Sequence, residues 1–556
     1  MTTTTLEHEM LFANMSPADC ESVGAELCSE IRSLAQAALD ASATLPHIDF
    51  VQTRGRTSDT GQPLVLFRIV NRDMPFLVDS VMNALQTHNV DASLLLHPMI
   101  EVGGGSGVQT DHRSLIIVGV EAITDDLAQA VVSELDATIA DVTAAVGDWQ
   151  AMQSRFVAAI NDLEVAKTAV PDDSQAEAVA FMRWLADGQF VFLGMRDYRL
   201  DGDVDTGQLQ TVDNSGLGVL RDPSVQVLRR GMEMVALTPE VRAFFTEPRA
   251  LFVTKSNVIS RVHRAVHMDY IGIKQYGEDG GLIGELRVVG LFTSKAYTMA
   301  PADIPLLRLK AQRVIESSGY VPGSHDGKAL INVIDTFPRD ELFQIPVDLL
   351  SGWAPEIVAL ETRPRTRLFV RVDPFDRFVS ALVFMSRERF STAVRERIGQ
   401  HLADRYGGRI VMFQPFFLES RLVRVHFIVG RFEGQIPKQI DPVALEGEIA
   451  DLTRNWRDRF ANAVSTQMRD NDQAGLSTSY CTAFPNSYVE THGIERALLD
   501  TAEMTVLSDA SPVGVRLYRA DDVGAGQINA AIYSAQGPIP LSERVPVFED
   551  MGFRVI

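Results

Sequence analysis

The sequence predicts an α+β fold in which ferredoxin-like β-α-β-β-α units are strung in tandem around an antiparallel α+β domain. Three observations predict it. Apolar runs of strand length alternate with stretches whose apolar residues recur at helical spacing. The order strand, helix, strand, strand, helix occurs over 63–148 and again over 365–465, the second time behind an extra leading strand. Between them, over 177–350, short apolar runs joined by Gly-rich turns read as antiparallel hairpins with helices at either end.

Each element has a local reason. Residues 16–43 read as one helix: Ser16 suits the N-cap, Pro17 the first helical position, and Ile31, Leu34, Ala35, Ala38 and Leu39 share a face. This N-terminal helical segment is expected to occupy 1–52, with a polar stretch at 53–62 separating it from the first unit. There Leu64 to Val70 is a strand and Asn71-Arg72-Asp73-Met74 a turn. Pro75 opens a helix with Val78, Val81, Met82 and Leu85 on its apolar face. A strand from about Val90 to Val102, a glycine turn at 103–107, a strand at 115–120 and a long helix capped by Thr124 complete the unit.

In the middle region a helix carrying Phe181, Trp184 and Leu185 leads into strands at 190–193, 217–220 and 251–254. A hairpin follows, 270–276 and 285–292 around a Gly-rich loop, and then helices at about 301–318 and 324–337. The next unit reads as strands at 368–372 and 378–384, a helix at 391–406, strands at 409–418 and 422–429, and a helix at 442–462. The last segment, 511–556, repeats its start: strands at 513–518 and 528–533, a helix near 541–551, and a strand beginning at Phe553. On this pattern the chain reads as a fragment that halts inside a third unit.

Composition narrows the function classes. At about 100–200 residues per domain, 556 residues imply three or four domains. Lys and Arg total 51 against 73 Asp and Glu, a net charge of −22, which disfavours non-specific binding to phosphate backbones or anionic lipid. No apolar run reaches the 18 or more residues of a membrane span, and Met1 to Thr5 lacks a signal-peptide layout. Three scattered cysteines (Cys20, Cys28, Cys481) favour neither a disulfide framework nor a zinc site. The expectation is a cytoplasmic protein without nucleic-acid or membrane partners.

The usual catalytic motifs are absent. Gly524-Ala525-Gly526 precedes a strand instead of opening a helix, so it fails as a dinucleotide loop. Pro322-Gly323-Ser324-His325-Asp326-Gly327-Lys328-Ala329 has Pro322 in place of the first Gly and Ala329 in place of the final Ser or Thr of a phosphate loop, and reads as a capped helix start. His263, His267 and Asp269 lie among strands, where residues four apart stand about 13 Å from each other, too far for one metal. Residues 351–434 hold 14 Arg, no Lys and nine acids, so +5 inside a −22 chain. Phe375, Phe378 and Phe384 raise base stacking, but an Arg-rich assembly surface that pairs with carboxylates is the preferred reading. The best ligand candidate is the turn of Asn71, Arg72, Asp73, Pro75 and Phe76, at a helix start where free N–H groups favour a carboxylate.

The strand, Asn-Arg-Asp-Met-Pro-Phe-Leu turn and helix resemble an ACT domain, the amino-acid-sensing module of metabolic enzymes. ACT domains usually place Gly after that Pro; here Phe76 stands there and crowds the site. Longer strings extend the resemblance: Phe67 to Ser80, Met268 to Lys274, Pro301 to Arg308, Gly323 to Leu330 and Pro338 to Ile345. Together they are similar to the N-terminal part of the large bacterial NAD-specific glutamate dehydrogenases. The resemblance implies ACT-like domains at 63–148, 365–465 and, begun only, 511–556, with a PAS-like domain at 177–350. It implies a regulatory and oligomerising role in glutamate catabolism, with NAD and the catalytic residues outside this chain and no catalytic, cofactor-binding or metal residue within it. It leaves room for a small-molecule effector and implies self-association. The alternative is a stand-alone ACT/PAS-type sensor or assembly protein without catalytic activity.

Overall fold

A computed structural model describes residues 6–13, 15–57, 61–102, 111–202, 208–225, 227, 245–374, 377–431, 440–467, 480, 482–518 and 528–555. The glycine turns at 103–107 and 524–526, Phe375 and Cys481 lie outside these residues. The chain divides into two compact units, Met1–Ala359 and Leu360–Ile556.

In the first unit, helices α1 (His8–Phe12), α2 (Pro17–Val23) and α3 (Ala25–Ala41) precede strand β1 (His47–Arg56). The expected single helix is therefore two. Gly24, with φ 86°, breaks it, and Ser16 caps the first piece reciprocally with Asp19. The expected helical segment also ends early, because 47–56 forms an edge strand. Asp49 of β1 takes a two-pronged hydrogen bond from Arg68, at 2.7 and 2.6 Å.

Strand β2 (Pro63–Arg72), helix α4 (Leu77–Thr87), strands β3 (Ala92–Leu96), β4 (Met99–Val102) and β5 (Asp111–Glu121) and helix α5 (Asp125–Gly147) follow. The sheet is antiparallel in the order β1-β2-β5-β3, with β4 also on β5. Strand alternation sends Leu64, Leu66, Val70, Leu115 and Ile117 to the side of α1–α3. Val65, Phe67, Ile69, Ile116 and Val118 go to the side of α4 and α5. That second core runs on without a break into Leu193, Tyr270, Val289 and Leu291 of the next sheet.

Helices α6 (Trp149–Val165) and α7 (Asp172–Trp184) lead to that sheet. It contains β6 (Phe190–Asp201), β7 (Gln208–Thr211), β8 (Leu217–Gly218), β9 (Leu251–Ile259), β10 (His267–Tyr276) and β11 (Leu282–Phe292). Its antiparallel path is β7-β6-β11-β10-β9, so the first and last long strands are central neighbours and a hairpin flanks each. Five helices close the unit, more than the two expected: α8 (Ser294–Thr298), α9 (Leu307–Ser318), α10 (His325–Thr336), α11 (Arg339–Gln344) and α12 (Val347–Thr362), which runs across the boundary.

The second unit contains β12 (Arg367–Val372), β13 (Phe378–Ser386), α13 (Thr392–Tyr406), β14 (Gly408–Phe417), β15 (Leu422–Arg431) and α14 (Pro442–Thr453). The sheet order is β12-β13-β15-β14, the same path as the first sheet with a leading strand at one edge. Val379, Ala381, Val383, Val425 and Phe427 face Ile398, Leu402, Leu445 and Ile449 of the two helices. Helices α15 (Trp456–Gln467), α16 (Asn486–Thr491) and α17 (Ile494–Thr505) form a small aromatic cluster around Trp456 and Phe460. Strands β16 (Val513–Tyr518) and β17 (Asn529–Ser534) pair, and α18 (Leu541–Asp550) follows. Beyond it, 553–555 take no strand conformation, contrary to expectation.

Candidate functional site

The turn at 71–76 forms, but its helix starts later than Pro75. Asn71 and Arg72 remain on β2, opposite Ser114 and Arg113. The Asp73 N–H donates to the His112 carbonyl at 3.1 Å. Helix α4 begins at Leu77, and Phe76 at its N-cap has φ 73° and ψ −1°. A side chain in this left-handed region costs roughly 1–2 kcal/mol, which is why Gly is the default there. Packing offsets that cost. The Phe76 ring lies against the core shared by α4 and α5, and its carbonyl accepts from the Ser80 N–H at 3.1 Å and the Ser80 hydroxyl at 2.6 Å.

The loop between β9 and β10 closes over this turn. His263, also left-handed at φ 65°, sets its ring 5.2 Å from that of Phe76. Its backbone N–H donates to Ser80 Oγ at 2.9 Å, its carbonyl accepts from Asn83 Nδ2 at 2.7 Å, and its Nδ1 lies 2.9 Å from Asp79 Oδ2. Arg261 pairs with Glu134 at 2.8 Å and Asp141 at 3.4 Å on α5. Burial raises the Asp141 pKa, and Arg261 opposes that rise. The start of α4 is thus engaged by the protein's own chain.

Beneath the turn lies a small polar group. Asn71 is 4% exposed, and its Nδ2 has no hydrogen-bond partner among the described residues. Ser114 Oγ is 2.7 Å from His97 Nε2. Burial lowers the His97 pKa, with Asp73 working the other way. A hydroxyl beside an imidazole is the geometry of an activated nucleophile. Ser114, however, is 1% exposed and out of a substrate's reach.

The other sequence candidates separate. His267 Nδ1 is 3.0 Å from the Ser256 carbonyl, while Asp269 joins Lys255, so the pattern His263, His267, Asp269 does not converge on one ion. Ser324 caps α10 by accepting the Gly327 N–H at 3.0 Å, a helix start and not a phosphate cradle. Phe378 and Phe384 are buried, which removes them from base stacking.

One constellation escaped the sequence reading. Lys255 Nζ lies 2.6 Å from Asp269 and 3.1 Å from Asp340, and the Tyr297 hydroxyl donates to Asp340 at 2.8 Å. Asp269 also accepts the Phe292 N–H at 3.1 Å. Burial pushes the Asp269 pKa up to about 6, with Lys255 opposing and Asp340 adding. Burial would lower the Lys255 pKa, but the two carboxylates override it and hold the ammonium charged. Asp269 and Asp340 lie 71 residues apart, in two of the strings that carry the family resemblance. Their shared membership was the one signal available.

Antiparallel sheets with strand–helix connections at 63–87 and 378–406 agree with ACT domains. The glutamate dehydrogenase ACT1 domain matches residues 8–114, its helical motif 1 residues 304–363, its ACT2 domain residues 367–457 and its ACT3 domain residues 512–556. The chain is 33% identical over 506 residues to an NAD-specific glutamate dehydrogenase of Halomonas elongata, covering 88% of this chain and 31% of that protein. It is 31% identical over 505 residues to that of Pseudomonas aeruginosa, with the same coverages. For that of Mycobacterium tuberculosis the identity is 26% over 457 residues, 80% of this chain and 26% of the relative. These matches support the NAD-specific glutamate dehydrogenase family, and the chain spans about a third of the length of its relatives. No helix among the described residues is long and apolar enough to cross a membrane.

Proposed function

We propose that this chain is the N-terminal regulatory and assembly region of an NAD-dependent glutamate dehydrogenase, acting in the cytoplasm on glutamate catabolism. The reaction converts L-glutamate, NAD and water to 2-oxoglutarate, ammonium and NADH, with the dinucleotide and the catalytic residues held outside this chain. The observation that carries the reading is the succession ACT1, helical motif 1, ACT2 and ACT3 along a chain whose curated relatives are NAD-specific glutamate dehydrogenases. Among the described residues, the turn before α4 does not suit NAD. The strand-turn-helix at 71–77 sets a phenylalanine and a proline where a pyrophosphate needs bare backbone amides. The shared path of the first and third sheets supports tandem ferredoxin-like units, and the central pairing of β6 with β11 supports the PAS-like reading of the sheet between them. The test is NADH formation from glutamate and NAD. Residues 1–556 alone should form none, and glutamate-dependent NADH production by them would end the proposal.

A second reading, amino-acid sensing at 71–76, has one observation in its favour: the buried Asn71 Nδ2, without a hydrogen-bond partner among the described residues. Phe76 and His263 oppose it by filling the approach. A rise in melting temperature with glutamate or another amino acid would favour sensing, since a ligand that binds the native state stabilises it.

A further inference from the structure

We propose that the β14 edge of the second unit is a docking surface for acidic ground on a second copy of this chain, engaged through side chains and not by sheet extension. The inference rests on the assembly part of the function proposed above. Among the described residues, strand β14 pairs only with β15. Between Val411 and Phe417 it leaves Val411, Met412, Phe413, Phe416 and Phe417 between 36% and 51% exposed. Phe413 and Phe417 lie on the side of α13 and Met412 and Phe416 on the other, so this strip exposes apolar side chains on both faces of the edge, and exposed apolar patches mark interaction surfaces.

Its chemistry narrows the partner. Three of the side chains are rings with a guanidinium over them: Arg395 at 3.8 Å from Phe413, Arg424 at 4.8 Å from Phe416 and Arg387 at 5.4 Å from Phe417. Aromatic and arginine side chains are the ones enriched where interfaces bury most completely. Arg387 donates to the Leu418 carbonyl, and Arg395 pairs with its neighbour Glu396. Arg424 is buried, its Nε has no hydrogen-bond partner among the described residues, and burial lowers its pKa to about 10. Arg387 is exposed, and the planar fork of a guanidinium suits a carboxylate. Residues 351–434 carry +5 while the whole chain carries −22, so the remainder carries −27. A second copy therefore offers the acidic surface that this strip lacks.

The strand itself resists edge pairing. The register slips at Val411, between Ile410 and Met412, and Pro415 has no N–H to donate to a neighbouring strand. Contact through the Phe and Arg side chains needs neither.

Sedimentation of the 556-residue chain tests this, with wild type, Phe413→Ser/Phe417→Ser, Phe417→Ser alone and Pro415→Val. Wild type should self-associate at micromolar concentration, less tightly as salt is raised. The double variant should associate roughly tenfold or more weakly. Pro415→Val should match wild type. Circular dichroism checks folding, and the single variant serves if the double variant unfolds. A wild-type chain that stays monomeric at these concentrations overturns the proposal. So does unchanged association in the phenylalanine variants, and tighter association in Pro415→Val overturns the side-chain mode. The NADH assay is independent: catalysis by this chain would end the regulatory reading and leave the sedimentation result standing.

Discussion

The Ser80 hydroxyl accepts the backbone N–H of His263 at 2.9 Å across 183 residues of sequence, while donating to the Phe76 carbonyl at 2.6 Å. One buried oxygen thus ties the start of α4 to the loop between β9 and β10. Ser80→Ala should leave both groups without this partner and cost about 1–3 kcal/mol. Chemical denaturation followed by circular dichroism measures the loss. An unchanged transition would show that the hydroxyl is dispensable.

Phe76→Gly should remove a left-handed side chain and, with it, a ring packed on His263 and the core. Relief of roughly 1 kcal/mol of backbone strain is smaller than the loss of the packing of a partly buried ring, so the variant should melt at a lower temperature. It should also open the approach to Asn71. Amino acids that do not shift the melting of wild type should then raise that of the variant.

The Lys255–Asp269–Asp340 cluster predicts a pH dependence with a definite sign. The Asp269 pKa is about 6 in the folded chain against an ordinary value of 3.8, so the folded state holds the proton more tightly than the unfolded state. Its contribution to stability is complete below the unfolded value and is lost as pH rises through about 6. Stability should therefore fall between about pH 4 and 6 through this group, a slope that Asp269→Asn should flatten. Melting temperatures of both proteins across that range decide it; parallel profiles would remove Asp269 as the cause.

Gly218, with φ 61°, places the site of a Cβ 2.0 Å from the Leu193 carbonyl oxygen. Its N–H donates to the Asp148 carboxylate at 2.8 Å, which joins β8 to the turn between α5 and α6. Gly218→Ala meets both a strained backbone and a backbone atom that cannot move aside, and should cost about 2–4 kcal/mol. A shift in the denaturation midpoint below that range would mean that β8 yields.

How much of this was legible in the sequence depends on where the information lies. The central strands β2, β5, β10, β11, β13 and β15 are apolar runs buried by local pattern, and they read directly. Strand β1 did not, because it is half-buried and keeps its place partly through Asp49 and Arg68, two polar residues that look like surface. The turn at 71–76 was visible. Its lid was not: His263 reaches it from a distant loop, and nothing local in either segment specifies the encounter. Asp269 and Asp340 were hidden for the same reason, since a shared lysine leaves no spacing rule behind.

Both four-strand paths take their outer strand from the residues just before the unit, β1 in one and β12 in the other. The last helix of each packs on its own sheet, but the chain after it owes that sheet no further strand and can run straight on into new structure. A module wired this way can be copied, lengthened behind its last helix or spliced ahead of another without disturbing its own hydrogen-bond ladder. Modularity of that kind is a property of the wiring, independent of what any single module binds.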